Sequence, residues 1–178
     1  ENLAVKSKEY RGGIPLMSFL YAHGGYKEVW DSPEFHDPAL PRPTAAYMKE
    51  AVDKGWIPVR PLPGIDPKVY YFTGMNPLRR WPAPQIAQKH LWPKLAMIAS
   101  VNTKLSTSSL MGDIVLPAAG WYERDLIKYT EAYIPYVVLH GKVVEPLGES
   151  KSEWEISGLL AKKIQERARA RGVATVRD

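Results

Sequence analysis

Hydrophobic and polar positions keep three different rhythms along this chain. Up to Pro43 the apolar residues are broken up by Pro, Gly and aromatics; "PLMSFLYAHGG" predicts a helix, and "DSPEFHDPALPRP" predicts an irregular connection. "TAAYMKEAVDKG" predicts a helix capped by Thr44, with Tyr47, Met48, Ala51 and Val52 on one face and Gly55 as its stop. The four prolines of "WIPVRPLPGIDP" then force loop or edge. From Lys68 the apolar runs become continuous and strand-length: "KVYYFT", closed by "GMNP"; "LAMIASV" from Leu95 to Val101; and "DIVLP" from Asp113. Helices are predicted between them, around Gln85 to Trp92 and through "STSSLMG". Apolar strands without polar alternation, separated by helices, indicate an α/β fold whose mostly parallel sheet carries helices on both faces. After a long polar segment "YIPYVVLHG" predicts a further strand. The helical period comes last: Ser152 and Glu155 form a capping box, and Ile156, Leu159, Leu160, Ile164 and Ala168 line one face of a terminal helix.

Composition narrows the class. With 45% hydrophobic and 24% charged residues, 178 residues suffice for a real core. No apolar run approaches the roughly 20 residues of a bilayer span, so no membrane insertion is expected. The start, "ENLAVKSKEYRGG", lacks a signal-peptide layout and an initiator Met, and is expected to begin within a longer polypeptide. Cysteine is absent, which removes disulfides, thiolate nucleophiles, iron–sulfur ligands and cysteine zinc sites from this chain's chemistry. Most of the net charge of +5 is local: Lys162, Lys163, Arg167, Arg169 and Arg171 stand against Glu166 in the terminal segment. Cations there suit the negative end of a helix dipole, and the alternative is a nucleic-acid-binding module built on that basic helix.

In open α/β sheets ligands bind beyond the carboxyl ends of the strands, so the strand ends are the candidate positions. "TGMNP" offers Gly74 for close backbone approach, Asn76 as donor and acceptor, and Pro77 to open a helix; Arg79 and Arg80 add charge suited to phosphate. "SVNTKLSTSS" brings Asn102 and Thr103 to the same edge, with Ser106, Thr107 and Ser108 as helix caps or phosphate donors. Asp113 enters the third strand and needs a partner if buried. Glu123, Arg124 and Asp125 lie beyond that strand's end, the two carboxylates suiting either acid–base work or a solvated loop. His23, His36, His90 and His140 lack metal-ligand spacing, and no G-x-S-x-G, Walker A or G-x-G-x-x-G pattern occurs. The residues alone define a ligand-binding α/β domain with no assigned catalytic residue and no metal site.

Taken in order, "YYFTGMNP", "IASVNTKLSTSSLMGDIVLPAAGWYERD" and "VEPLGESKSEWEISGLLAKKI" resemble the third domain of the large subunit in the molybdopterin oxidoreductases, the dimethyl sulfoxide reductase family. The wording "DIVLPAAGWYERD" followed by "GESKSEWEI" looks most like the branch holding nitrate reductase and the ethylbenzene, dimethyl sulfide and steroid C25 dehydrogenases. The resemblance runs from about Lys68 to Ile164. It implies a Rossmann-like cofactor-binding domain over residues 68–178, with residues 1–67 as an irregular helical portion packed on it. It also implies that the "WYERD" turn approaches the guanine dinucleotide part of a bis-molybdopterin cofactor. Carried over by motif, Gly74 and Asn76 match the G-x-N-P segment, and Val101 with Asn102 match the strand-end pair near the nucleotide. Arg124 stands where relatives often have Lys, Glu153 where they often have Asp, and Asn102 where many have Asp. An iron–sulfur cluster and the molybdenum ligand are implied elsewhere in a larger parent subunit. The implied partners are that subunit's remaining domains and an iron–sulfur electron-transfer subunit, at the periplasmic or cytoplasmic face of a membrane. Alone, the chain is expected to be inactive. A nucleic-acid-binding module and a scaffold that binds nothing are the competing expectations.

Overall fold

The computed structural model of the protein describes residues 16–129 and 136–173. The opening "ENLAVKSKEYRGG" and the first residues of the predicted strand "YIPYVVLHG" lie outside them. The described chain divides into two compact units. The first runs to Tyr70 and takes in Pro77–Ile98; the second takes Tyr71–Asn76 and resumes at Ala99.

Aromatic packing organises the first unit. Helix α1 (Leu16–His23) follows the predicted run, and a second helix, α2 (Tyr26–Trp30), falls between it and the predicted irregular connection, where no element was expected. A five-residue helix is too short to display a hydrophobic period. It starts at Gly25, whose φ of 83° and whose close approach to the His90 ring, 2.5 Å from where a Cβ would sit, both require glycine. Leu20, Tyr26, Trp81, Ala87 and Leu91 form the core, with Trp30, Tyr70 and Trp92 packed around it. Trp81 meets Trp92 edge-on at 6.2 Å, and Tyr70 meets both rings, geometries that suit aromatic quadrupoles. Of the tryptophans before Leu95, Trp56 is the one left exposed. Buried His23 directs Nε2 to the Pro61 carbonyl at 2.8 Å; a carbonyl only accepts, so that nitrogen carries the proton.

Helix α3 (Thr44–Asp53) corrects one expectation. Pro43 occupies the cap position and no side chain caps the helix. Thr44 is already the first helical residue, one position too late for its hydroxyl to serve the next turn's amides. Of the predicted face, Ala51 is buried while Tyr47, Met48 and Val52 are half-buried.

The sheet has strand order β1-β2-β3: β1 (Val69–Thr73), then β2 (Met97–Asn102) after helices α4 (Pro77–Arg80) and α5 (Pro84–His90), then β3 (Ile114–Pro117) after α6 (Thr107–Leu110). Lys68 accepts from Ala96, and Gly74 donates to Val101 at the other end, so β1 and β2 ascend together. β2 and β3 pair in parallel, Ala99 facing Ile114 and Asn102 facing Pro117. Strand side chains alternate between faces. Val101 packs with Ile156 of the terminal helix α7 (Glu153–Ala170), while its neighbour Ser100 turns the other way and bonds Ser109 of α6 at 2.8 Å. Helices therefore cover both faces of β2, as the apolar pattern requires. β3 carries less cover: Asp113, Ile114 and Val115 are all exposed.

Two further strands, β4 (Leu126–Tyr129) and β5 (Val137–His140), make an antiparallel ribbon. Its first strand lies in the long polar segment, where no strand was predicted. Helix α7 (Glu153–Ala170) forms as its capping box predicts, Ser152 Oγ accepting from Glu155 N while the Glu155 carboxylate accepts from Ser152 N. Of its apolar face Ile156 is buried, whereas Leu159, Leu160 and Ile164 are exposed. No helix among the described residues is long and apolar enough to cross a membrane.

In the first unit, the buried Tyr21 phenol donates to Asp31 at 3.0 Å. Burial first, and the adjacent carboxylate second, push its pKa from 10.0 up to about 12. The fold thus holds the neutral phenol, and its contribution is complete below pH 10 and lost as pH rises through about 12. We expect Tyr21→Phe to flatten that alkaline loss. Denaturant midpoints taken below pH 10 and near pH 12 should lie closer together in the variant than in the wild type, the remaining loss coming from Tyr26 and Tyr70, whose pKa values burial also raises.

Candidate functional site

Beyond the strand ends of the second unit, backbone bonds continue the ladder. Gly74 N donates to Val101 O at 2.9 Å and Ala118 N to Asn102 O at 3.0 Å. Ala119 N donates to Lys151 O at 2.8 Å, and Lys151 N to Pro117 O at 3.3 Å. Lys151 immediately precedes the α7 cap, so the helix begins beside the rim where β1, β2 and β3 finish. Gly74 sits at φ 61°, and a Cβ there would lie 3.4 Å from Glu153 Oε1. The absent side chain leaves the peptide exposed at the rim.

Two asparagines are fixed here by half of each amide. Asn76 Oδ1 accepts from Ser108 Oγ at 2.6 Å and from Ser108 N at 3.3 Å. Asn102 Nδ2 donates to Ser100 Oγ at 2.9 Å, Met75 O at 3.3 Å and Ser109 Oγ at 3.4 Å. Facing a backbone N–H in one case and a carbonyl in the other, neither amide can be reversed. Asn76 Nδ2 and Asn102 Oδ1 have no partner among the described residues. The serines serve the framework: Ser106 Oγ caps α6 by accepting from Ser109 N at 3.1 Å, and Ser108 is spent on Asn76.

Arg124 follows the one-turn helix Trp121–Glu123. Its side chain is 11% exposed; Nη1 donates to Glu153, the first residue of α7, and the guanidinium carbon stands 5.3 Å from the Trp121 ring centre. Nε is buried without a partner. Nη2 likewise has none among the described residues. Lys128 Nζ lies 5.0 Å from the same ring centre, a pairing that sequence reading missed because β4 itself was not foreseen. The neighbouring carboxylates are structural. Glu123 accepts from Gly120 N at 2.6 Å and Leu147 N at 3.3 Å, and Asp125 accepts from Lys142 N at 2.9 Å.

The six predicted residues thus form two linked groups. Asn76, Asn102 and the wholly buried Val101 surround the 74–76 turn through Met75 and the serines; Arg124 and Glu153 reach the same turn at Gly74. Arg79 and Arg80 are exposed on α4 of the first unit. A cavity of about 240 Å³, lined by Trp30, Asp31, His36 and Thr44 among others, also belongs to that unit and touches none of the six. The C-terminal cations are exposed, with Lys163 paired to Glu166 at 2.8 Å, as befits a solvated helix end.

A family model for molybdopterin oxidoreductases matches residues 46–163. The chain belongs to that family. It is 34% identical over 171 residues to the respiratory nitrate reductase subunit alpha of Haloferax mediterranei, covering 93% of this chain and 16% of the relative. With the perchlorate reductase subunit alpha of Dechloromonas aromatica it shares 30% identity over 135 residues, 76% of this chain and 14% of that one. The dimethylsulfide dehydrogenase subunit alpha of Rhodovulum sulfidophilum is 31% identical over 132 residues, 74% and 14% respectively. The chain therefore spans about a sixth of the length of the relatives it matches. The solved structure of acetylene hydratase from Pelobacter acetylenicus is 20% identical, with a TM-score of 0.49 over 90% of this chain and 21% of that one.

Asn102→Asp tests the polar framework. A carboxylate cannot donate to Met75 O, so two acceptors would be left face to face. We expect a loss on the order of 1–3 kcal/mol, read as a lower thermal midpoint, with Asn102→Ala costing less than Asp.

Proposed function

We propose that the strand-end rim of the second unit binds the guanine dinucleotide part of a bis-molybdopterin cofactor, within the large subunit of a molybdenum-dependent oxidoreductase. The observation that supports this above all is that Gly74, Asn76, Asn102, Arg124 and Glu153 gather around one turn while keeping polar groups uncommitted. A diphosphate calls for backbone N–H groups, guanidinium and little steric cover, whereas guanine calls for a carboxylate or amide edge. The donor set fits both needs. Gly74 leaves room against the turn, Asn76 Nδ2 and Arg124 Nη2 donate, and Asn102 Oδ1 accepts from a ribose hydroxyl or a base N–H. Glu153 Oε1 accepts from base N–H groups, and Val101, whose carbonyl is already taken by Gly74, holds the rim in place. When bound, molybdenum and its dithiolenes supply the redox chemistry; this chain supplies position and field.

Family membership favours this function over nucleic-acid binding by α7. Relatives named for nitrate, perchlorate and dimethylsulfide support the reading that the parent acts on small oxoanions or sulfides. Electron exchange would run through an iron–sulfur centre in another domain or subunit. In the complete enzyme, Asn76→Ala combined with Arg124→Ala should weaken cofactor retention on the order of a hundredfold, the loss of two hydrogen bonds to charged groups. Molybdenum content and guanosine monophosphate released by acid are the measurements. Full occupancy of both in the double variant would reject the assignment. Filter binding of nucleic acid at two ionic strengths is the control, with no steep salt dependence expected.

A further inference from the structure

We propose that Lys128, laid against Trp121, is a second cationic contact for the phosphates at this rim, an inference that rests on the cofactor-binding function proposed above. Charge balance is the first reason. Arg124 is matched by Glu153, so that pair brings no net charge to a diphosphate, which carries about two negative charges. Lys128 meets no carboxylate within 4.0 Å among the described residues, and it joins Arg124 through their common ring.

Geometry is the second. A lysine on an exposed ribbon gains most freedom by extending into water, yet Lys128 Nζ stands 5.0 Å from the Trp121 centre, within cation–π range. The ring is a firm support. Its turn is tied at Gly120 and again at Leu147 by the two oxygens of Glu123, while the ring itself stays 52% exposed. On β4, Lys128 pairs with Val138 of β5, so the ribbon fixes the backbone from which the lysine reaches. With Arg124 already matched by Glu153, Lys128 is the cation at this ring whose charge an anion would meet without a carboxylate partner among the described residues.

The test uses the complete enzyme with Lys128→Gln and Lys128→Arg, alongside Asn76→Ala/Arg124→Ala. Each is dialysed between about 0.1 M and 1 M salt, over which the screening length falls from about 10 Å to 3 Å. Retained guanosine monophosphate and molybdenum per polypeptide are then measured. The expected result is a loss of roughly fivefold in Lys128→Gln at low salt, a smaller difference at high salt, and near wild-type retention in Lys128→Arg. Wild-type retention by Lys128→Gln at every salt would overturn the role of Lys128. Equal loss in Lys128→Gln and Lys128→Arg would also overturn it, since a packing role ignores charge. Loss confined to the Asn76/Arg124 variant leaves the cofactor site standing and rejects the lysine contact. No loss in that double variant rejects the cofactor site itself.

Discussion

The rim exists because backbone pairing continues past the strands. A buried peptide group without a partner costs about as much as a lost hydrogen bond, and the groups at the ends of β1, β2 and β3 find one another and Lys151. Those four bonds bring Gly74, Val101, Asn102, Pro117 and the first turn of α7 to one edge. The helix then adds its own constraint: Ser152 and Glu155 cap it reciprocally, and Ile156 anchors it on Val101 and Ala118. Moving the helix by one turn against the sheet would break that packing and the Lys151 bonds together.

Preorganisation follows from that edge. Binding side chains that must first be ordered lose part of their affinity to conformational entropy. Here Asn76 and Asn102 have already paid it to Ser108, Ser109 and Met75, and each presents its other amide atom without further ordering. Arg124 is held on one nitrogen by Glu153 and on one face by Trp121. A rim of this kind would recognise the proposed ligand by the position of a few fixed groups more than by enclosure, which fits its open character: Gly74 and Trp121 are exposed.

Much of this was legible in the sequence, for physical reasons that differ by element. β2 has no polar alternation because helices cover both its faces, and α7 declares itself through a capping box whose two bonds lie within four residues. Long-range side-chain bonds leave no such trace. By sequence Glu123 suits either acid–base work or a solvated loop, yet its carboxylate closes the Gly120 turn and reaches Leu147; Ser108 suits a helix cap or a phosphate donor, yet it serves Asn76. The β4–β5 ribbon was half legible because Lys128 breaks the apolar run of its first strand, the same feature that gives the residue its interest. Thr44 failed as a cap because Pro43, with φ near −59°, already occupies the position that starts the helix.

The asparagine at the end of β2 shows how local bonding would decide the ligand contact proposed for it. Resemblance to the family implies aspartate there in many members, and a carboxylate would offer two acceptors to a base or ribose. In this chain the side chain faces Met75 O, which needs a donor, and the serine pair is already joined through Ser100 and Ser109. An amide satisfies the carbonyl and keeps one acceptor outward; a carboxylate would set oxygen against oxygen. The exchange would thus give up one acceptor toward the proposed ligand to remove a repulsion within the rim. Glu153, whose Oε1 lies beside Gly74, stands where the missing acceptor is most readily made good. On the function proposed for the rim, asparagine at 102 and the longer acid at 153 would form one compensated change in a shared recognition surface, not two independent departures.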